Sequence, residues 1–116
     1  MTPAPIVLFA YNRPHHVRKT LESLKCNALA AESDLTIYID FPKQPTPESE
    51  ALFQEVFAVA SSESWCKTVS IIRREKNLGL ANSIIRGVTE QLKTSDTVIV
   101  LEDDFLLAPH FLTYMN

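Results

Sequence analysis

The chain has 116 residues, 46% of them hydrophobic, and a formal net charge of −3. That length allows one domain with a real core, and the composition excludes disordered and collagen-like chains. The slight acidity supplies no basic field for nucleic acid, and the Met-Thr-Pro-Ala-Pro start lacks the basic region and apolar length of a signal peptide or membrane span.

Ile6-Val7-Leu8-Phe9-Ala10 is a continuous apolar run, the pattern of a strand buried on both faces. It stops at Tyr11-Asn12-Arg13-Pro14. Asn12 or Arg13 begins a helix there, and Pro14 fits a first turn that needs no donor. Val17, Leu21, Leu24 and Ala28 then mark one helical face. Residues 35–39 predict a second strand, ending at Asp40 and broken by Pro42, Pro45 and Pro47. Thr46 suits an N-cap with Pro47 at the first helical position, and Glu48 and Glu50 suit the positive end of the dipole. Leu52, Phe53, Val56, Phe57 and Ala60 give that helix its apolar face. Residues 69–72 predict a third strand, residues 73–79 a polar loop, and Leu80, Ile84, Ile85, Val88 and Leu92 a third helix. A fourth strand is expected over residues 97–101, and Pro109 opens a last short helix through Tyr114.

Alternating strands and helices with long crossovers predict parallel pairing. The fold class is therefore α/β, a three-layer α-β-α arrangement with a mostly parallel, Rossmann-like sheet. In such sheets ligands bind beyond the carboxyl ends of the strands. Each strand here is followed by a polar cluster: Asn12-Arg13, then Asp40, then residues 73–79, then Glu102-Asp103-Asp104. Parallel strands put all of these on one edge.

The acidic triplet is the sharpest of these signals. Adjacent carboxylates at the mouth of a buried strand repel one another, and their ionised forms are disfavoured without a cation. A hard ion such as Mg²⁺ or Mn²⁺ takes one or two protein carboxylates and completes its shell with phosphate oxygens and water. With the strand pleat continued, Glu102 and Asp104 would point to one side and Asp103 to the other.

Ala10-Tyr11-Asn12-Arg13-Pro14, Ile39-Asp40, Asn77-Leu78-Gly79-Leu80-Ala81 and Val98-Ile99-Val100-Leu101-Glu102-Asp103-Asp104, followed by Ala108-Pro109-His110-Phe111, resemble the nucleotide-sugar half of GT-A fold glycosyltransferases. The likeness is to the N-acetylglucosaminyltransferase I type and to bacterial family-two-like sugar transferases. It implies that Asp104 bonds a metal bridging two phosphates, and that Glu102 and Asp103 contact ribose, metal-bound water or donor sugar. Asp40 would accept from the imide N–H of a uracil-like base, and Arg13 would lie near base or diphosphate. Asn12, Asn77 and Gly79 complete the implied nucleotide site, Gly79 either opening a helix N-terminus to an anion or serving only a tight entry. The implied partners are a nucleotide-diphosphate sugar, a uridine donor first, and a glycan or other hydroxyl acceptor. Phe41-Pro42 departs from the small loop these enzymes often carry, and would narrow the base pocket or stack in it.

An inverting transferase also needs a general base, and no carboxylate follows Asp104. His110 stands alone there and reads as a capping or surface residue. The chain therefore reads as one nucleotide-sugar-binding domain, residues 1–116, from the N-terminal part of a larger enzyme, without its base and acceptor site. The rival reading is a non-catalytic nucleotide-binding or interaction module derived from such an enzyme. His15 and His16 diverge on a helix and read as surface residues. Arg73, Arg74 and Lys76 either attract diphosphate or form a solvated loop, and Trp65 reads as core. Receiver domains place acids after the first strand, while nucleotidyltransferases and Rossmann dehydrogenases need a glycine-rich loop there; this chain has neither. Cys26 and Cys66 lack metal-ligand spacing and read as reduced thiols, in a soluble cytoplasmic protein with room for peripheral attachment to a membrane.

Overall fold

The computed structural model describes residues 3–104, 107, 109 and 111–116. The elements are β1 (Ile6–Ala10), α1 (Pro14–Lys25), a 3-10 turn (Ala30–Glu32), β2 (Asp34–Ile39), α2 (Pro47–Ala60), β3 (Thr68–Arg73), α3 (Leu80–Gln91), β4 (Ile99–Glu102) and α4 (Phe111–Met115). The four described strands form one parallel sheet in the order β3-β2-β1-β4. The α/β class and the parallel, Rossmann-like sheet read from the sequence are thus what the chain adopts.

Register sorts the side chains into two faces. Ile6, Leu8 and Ala10 of β1 lie level with Leu35, Ile37 and Ile39 of β2, and Ile6 and Leu8 with Ile99 and Leu101 of β4. These residues form the main core with Val17, Leu21 and Leu24 of α1 and Phe53, Val56 and Ala60 of α2. Trp65 completes it, 1% exposed, its indole N–H donating to the Ala60 carbonyl at 2.9 Å. The opposite face is thinner. Val7, Phe9 and Tyr38 form a separate cluster, flanked by Ile72, Ile84 and Val98, beneath α3.

Local chemistry fixes the helix starts. Thr46 caps α2 through a reciprocal pair with Ser49, with Pro47 in the first turn, an arrangement worth about 1 kcal/mol. Pro14 starts α1 after Arg13, whose side chain leaves the helix uncapped and free to bond elsewhere.

Several expectations need correction. The first helix ends at Lys25, so Ala28 is exposed instead of continuing its apolar face. In α3 the buried positions are Ser83 and Gly87, while Leu80, Ile85 and Leu92 are exposed. The reason is close approach. Phe9 and Tyr38 stack with ring centroids 5.3 Å apart, and a Cβ at Gly87 would meet Phe9 at 2.7 Å. Only small residues fit where α3 crosses these rings, so the larger aliphatic residues flank the contact. The fourth strand begins at Ile99 and takes in Glu102, later than the expected residues 97–101. The last helix begins at Phe111, and His110 lies outside the described residues. Among the described residues no helix is long and apolar enough to cross a membrane.

The strands end nearly level with one another. Ala10 pairs with Ile39 and Ile39 with Arg73, while Phe9 pairs with Glu102. The segments leaving β1, β2, β3 and β4 therefore emerge side by side.

Candidate functional site

A cavity of about 420 Å³ opens at that edge. Asn12, Arg13, Asp40, Glu102, Asp103 and Asp104 all line it, so residues scattered over the sequence meet in one place. Asn77 and Gly79 do not line it. They stand behind Asp40.

Asp40 is 7% exposed and its carboxylate is heavily occupied. Oδ1 accepts from the backbone N–H groups of Phe41 and Leu78, each at 2.9 Å. Oδ2 accepts from the Gly79 N–H at 2.9 Å and from Asn77 Nδ2 at 3.2 Å. A carboxylate offers about four acceptor positions, and here protein donors hold them. A direct bond from a base imide would have to displace one. Asp40 instead pins the entry to α3, and Asn77 adds a second tie through Nδ2 to the Phe41 carbonyl at 2.8 Å. Gly79 completes the turn with φ +80° and ψ 156°, backbone that non-glycine residues adopt only under strain. A Cβ there would meet nothing within 4 Å, so conformation, not space, selects glycine. The tight-entry reading of Gly79 is the one the geometry favours.

The acids after β4 are arranged differently. The strand pleat stops at Glu102, and Asp103 and Asp104 turn away from the sheet, so the alternating placement expected of the triplet does not hold. Glu102, level with Phe9, is half-buried; Asp103 is buried and Asp104 exposed. Arg13 donates to Asp103 Oδ1 at 2.5 Å; its guanidinium carries only donors and could not cap the N–H groups that open α1. Burial raises the Asp103 carboxyl above its ordinary range, and the Arg13 guanidinium opposes that rise. Arg13 thus holds a buried acid in its charged form more than it offers a free cation to diphosphate.

Asp103 and the segment after it are tied to α1 and the turn that follows α1 by residues that carried no signal as a motif. Thr20 donates its hydroxyl to the Asp103 carbonyl at 3.0 Å, Ser23 Oγ accepts from Leu107 N–H at 3.1 Å, and Asn27 Oδ1 accepts from Leu112 N–H at 2.9 Å. Only their near-helical spacing could have pointed to them. Also unanticipated as lining are Phe9, Tyr11, Leu80 and Ser83. Tyr11 Oη accepts from Lys43 N–H at 2.7 Å, joining the loops after β1 and β2. Leu80 and Ser83 lie three apart at a helix start, a spacing that puts both on one side.

Other candidates fall away from the cavity. Phe41 packs against Phe53 with ring centroids 5.4 Å apart, its ring among the α2 core residues instead of a base pocket. Arg73 lies 4.0 Å over the Phe57 ring and Arg74 4.9 Å over Tyr38, so neither reaches toward a diphosphate. His15 and His16 are exposed on α1. Cys26 and Cys66 are free thiols, the first exposed and the second buried.

Among the described residues no group of three His, Cys, Asp or Glu is placed to hold a metal by itself. The oxygen donors at hand, exposed Asp104 and half-buried Glu102, suit a hard cation that takes one or two protein carboxylates and draws its other ligands from phosphate and water. The donor set fits Mg²⁺ or Mn²⁺ arriving with a phosphorylated ligand.

The family model described as glycosyl transferase family 2 matches residues 6–115. No curated protein matches the chain.

Proposed function

The chain belongs to glycosyl transferase family 2, and we propose that its cavity binds the nucleotide-diphosphate sugar, through Mn²⁺ or Mg²⁺, whose sugar is transferred to an acceptor hydroxyl. The observation carrying this reading is the convergence of Asn12, Arg13, Asp40 and Glu102-Asp103-Asp104 on one cavity at the carboxyl edge of the sheet. Such an edge is where open parallel sheets take their ligands.

The residues divide the work by their surroundings. Asp104, the exposed acid, has oxygens free for a cation; Glu102, beside Phe9, faces the cavity and suits a ribose or sugar hydroxyl. Asp103 and Arg13 form the pair that sets where these acids stand. Asp40 lines the opposite wall, held from behind by Asn77 and Gly79. When bound, the metal neutralises the diphosphate that departs from the sugar. Uridine is the nucleoside that the sequence resemblance points to.

Calorimetric titration of the chain with UDP, dTDP and GDP, each with and without Mn²⁺, tests the proposal. Binding strengthened by Mn²⁺ supports it. Absence of metal-dependent binding to all of them refutes it. Metal-dependent binding without sugar transfer, in a chain extended to carry an acceptor half, would mark a nucleotide-binding module instead of an enzyme.

A further inference from the structure

Ser83 lies in the first turn of α3, with its N–H donating to the Gly79 carbonyl at 2.9 Å. It is 4% exposed and lines the cavity. Its hydroxyl oxygen is shielded from solvent and, among the described residues, has no hydrogen-bond partner. Helical hydroxyls commonly bond back to the carbonyl a turn earlier, as Thr89 does to Ile85 at 2.6 Å. Ser83 does not. A buried hydroxyl left unpaired lowers stability, and packing against the sheet does not require it, since Gly87 in the next turn meets the same need with no side chain.

The surroundings specify what would satisfy it. Gly79, the N-cap of α3, has no side chain to bond the first-turn N–H groups, and the Asp40 carboxylate is taken up by the Leu78 and Gly79 N–H groups just before them, so the helix start beside Ser83 is rich in donors and short of acceptors. An oxygen acceptor is favoured there. Position then separates nucleoside from diphosphate. Ser83 is bonded to Gly79, and Gly79 to Asp40 after β2. The acids suited to metal and diphosphate follow β4, on the far side of β1 in the sheet order.

Resting on the donor-site reading, we infer that Ser83 is a specificity-determining contact for the nucleoside, its Oγ–H donating to a carbonyl oxygen of the base. The hydroxyl is kept because the ligand, not the fold, supplies its partner.

The test is Ser83→Ala in the same chain, titrated with UDP, UMP and Mn²⁺-pyrophosphate and melted without ligand. Loss of one neutral hydrogen bond weakens UDP and UMP alike by about fivefold, while pyrophosphate affinity and the Mn²⁺ enhancement of UDP binding stay unchanged. The ligand-free melting temperature is equal to or above that of the parent, because an unpaired buried hydroxyl has been removed. Parent and variant binding UDP equally would overturn the Ser83 assignment while leaving the donor site standing. So would a loss seen with pyrophosphate as well, or a lowered ligand-free melting temperature, which would mean a bond within the fold. A parent chain that binds neither nucleotide would overturn the donor site itself and the Ser83 contact with it.

Discussion

Two walls of one cavity use carboxylates in opposite ways. At the β2 wall, Asp40 is saturated by donors from Phe41, Asn77, Leu78 and Gly79, and its chemistry is consumed in holding a loop. At the β4 wall, Asp103 is committed to Arg13 while Asp104 is exposed. An acid at the end of a strand is therefore not a ligand site by position alone. The count of protein donors around it decides whether oxygens remain for a cation or a hydroxyl.

The sharpest way to break this contrast is Asp40→Ala. Removing an acceptor with four buried or part-buried donors orphans backbone N–H groups, and the cost should be about 3 kcal/mol. Urea denaturation would read this loss; a cost under about 0.5 kcal/mol would show the wall to be less constrained than its bonds imply. Gly79→Ala comes next. With φ at +80° and open space around the added Cβ, the penalty is conformational and should be about 2 kcal/mol, without rearrangement of the cavity.

Asp103 and Arg13 give a smaller, pH-dependent effect. Because burial raises the Asp103 carboxyl above its ordinary value, the folded state binds that proton more tightly than the unfolded chain. Its contribution to stability is full below the ordinary carboxylate range and is lost as pH rises through the raised value. Arg13→Met removes the opposing cation, so the titration of Asp103, followed by carboxyl-carbon NMR, should move to higher pH. A titration unmoved by the substitution would separate the pair. The smallest effect on stability belongs to Asp104→Asn. An exposed acid should change unfolding free energy by less than about 0.5 kcal/mol, in contrast to Asp40→Ala. Loss of the Mn²⁺ enhancement of nucleotide binding with so little loss of stability would set the two walls apart.

The thiols offer a check on the frame around both walls. Burial pushes the Cys66 thiol up to about 12, so it should resist alkylation at neutral pH while exposed Cys26 reacts.

The same contrast explains how far the residues alone could be read. Strand β1 was legible to its last residue because a run of apolar side chains buried on both faces has few alternatives. The start of α2 was legible because Thr46-Pro47 carries its own capping chemistry. The cavity was legible in outline because parallel strands bring their ends to one edge. The features that escaped reading depend on contacts far apart in sequence. Asp40 could be placed at the edge, yet its saturation by a loop almost forty residues on was not local information. The apolar spacing of Leu80, Ile84, Ile85, Val88 and Leu92 gave a helix but not the residues it buries most deeply, Ser83 and Gly87, the latter set by close approach to stacked Phe9 and Tyr38. For the same reason Ser83 gave no signal until the helix was laid on the sheet.

The most direct measurement of metal-dependent nucleotide binding at the β4 wall is paramagnetic broadening of backbone amide signals by Mn²⁺ in the presence of UDP. Broadening should centre on Glu102, Asp103 and Asp104, extend to Asn12 and Arg13, and be abolished by Asp104→Asn. Broadening centred elsewhere, or unchanged when Asp104 is replaced, would contradict that assignment.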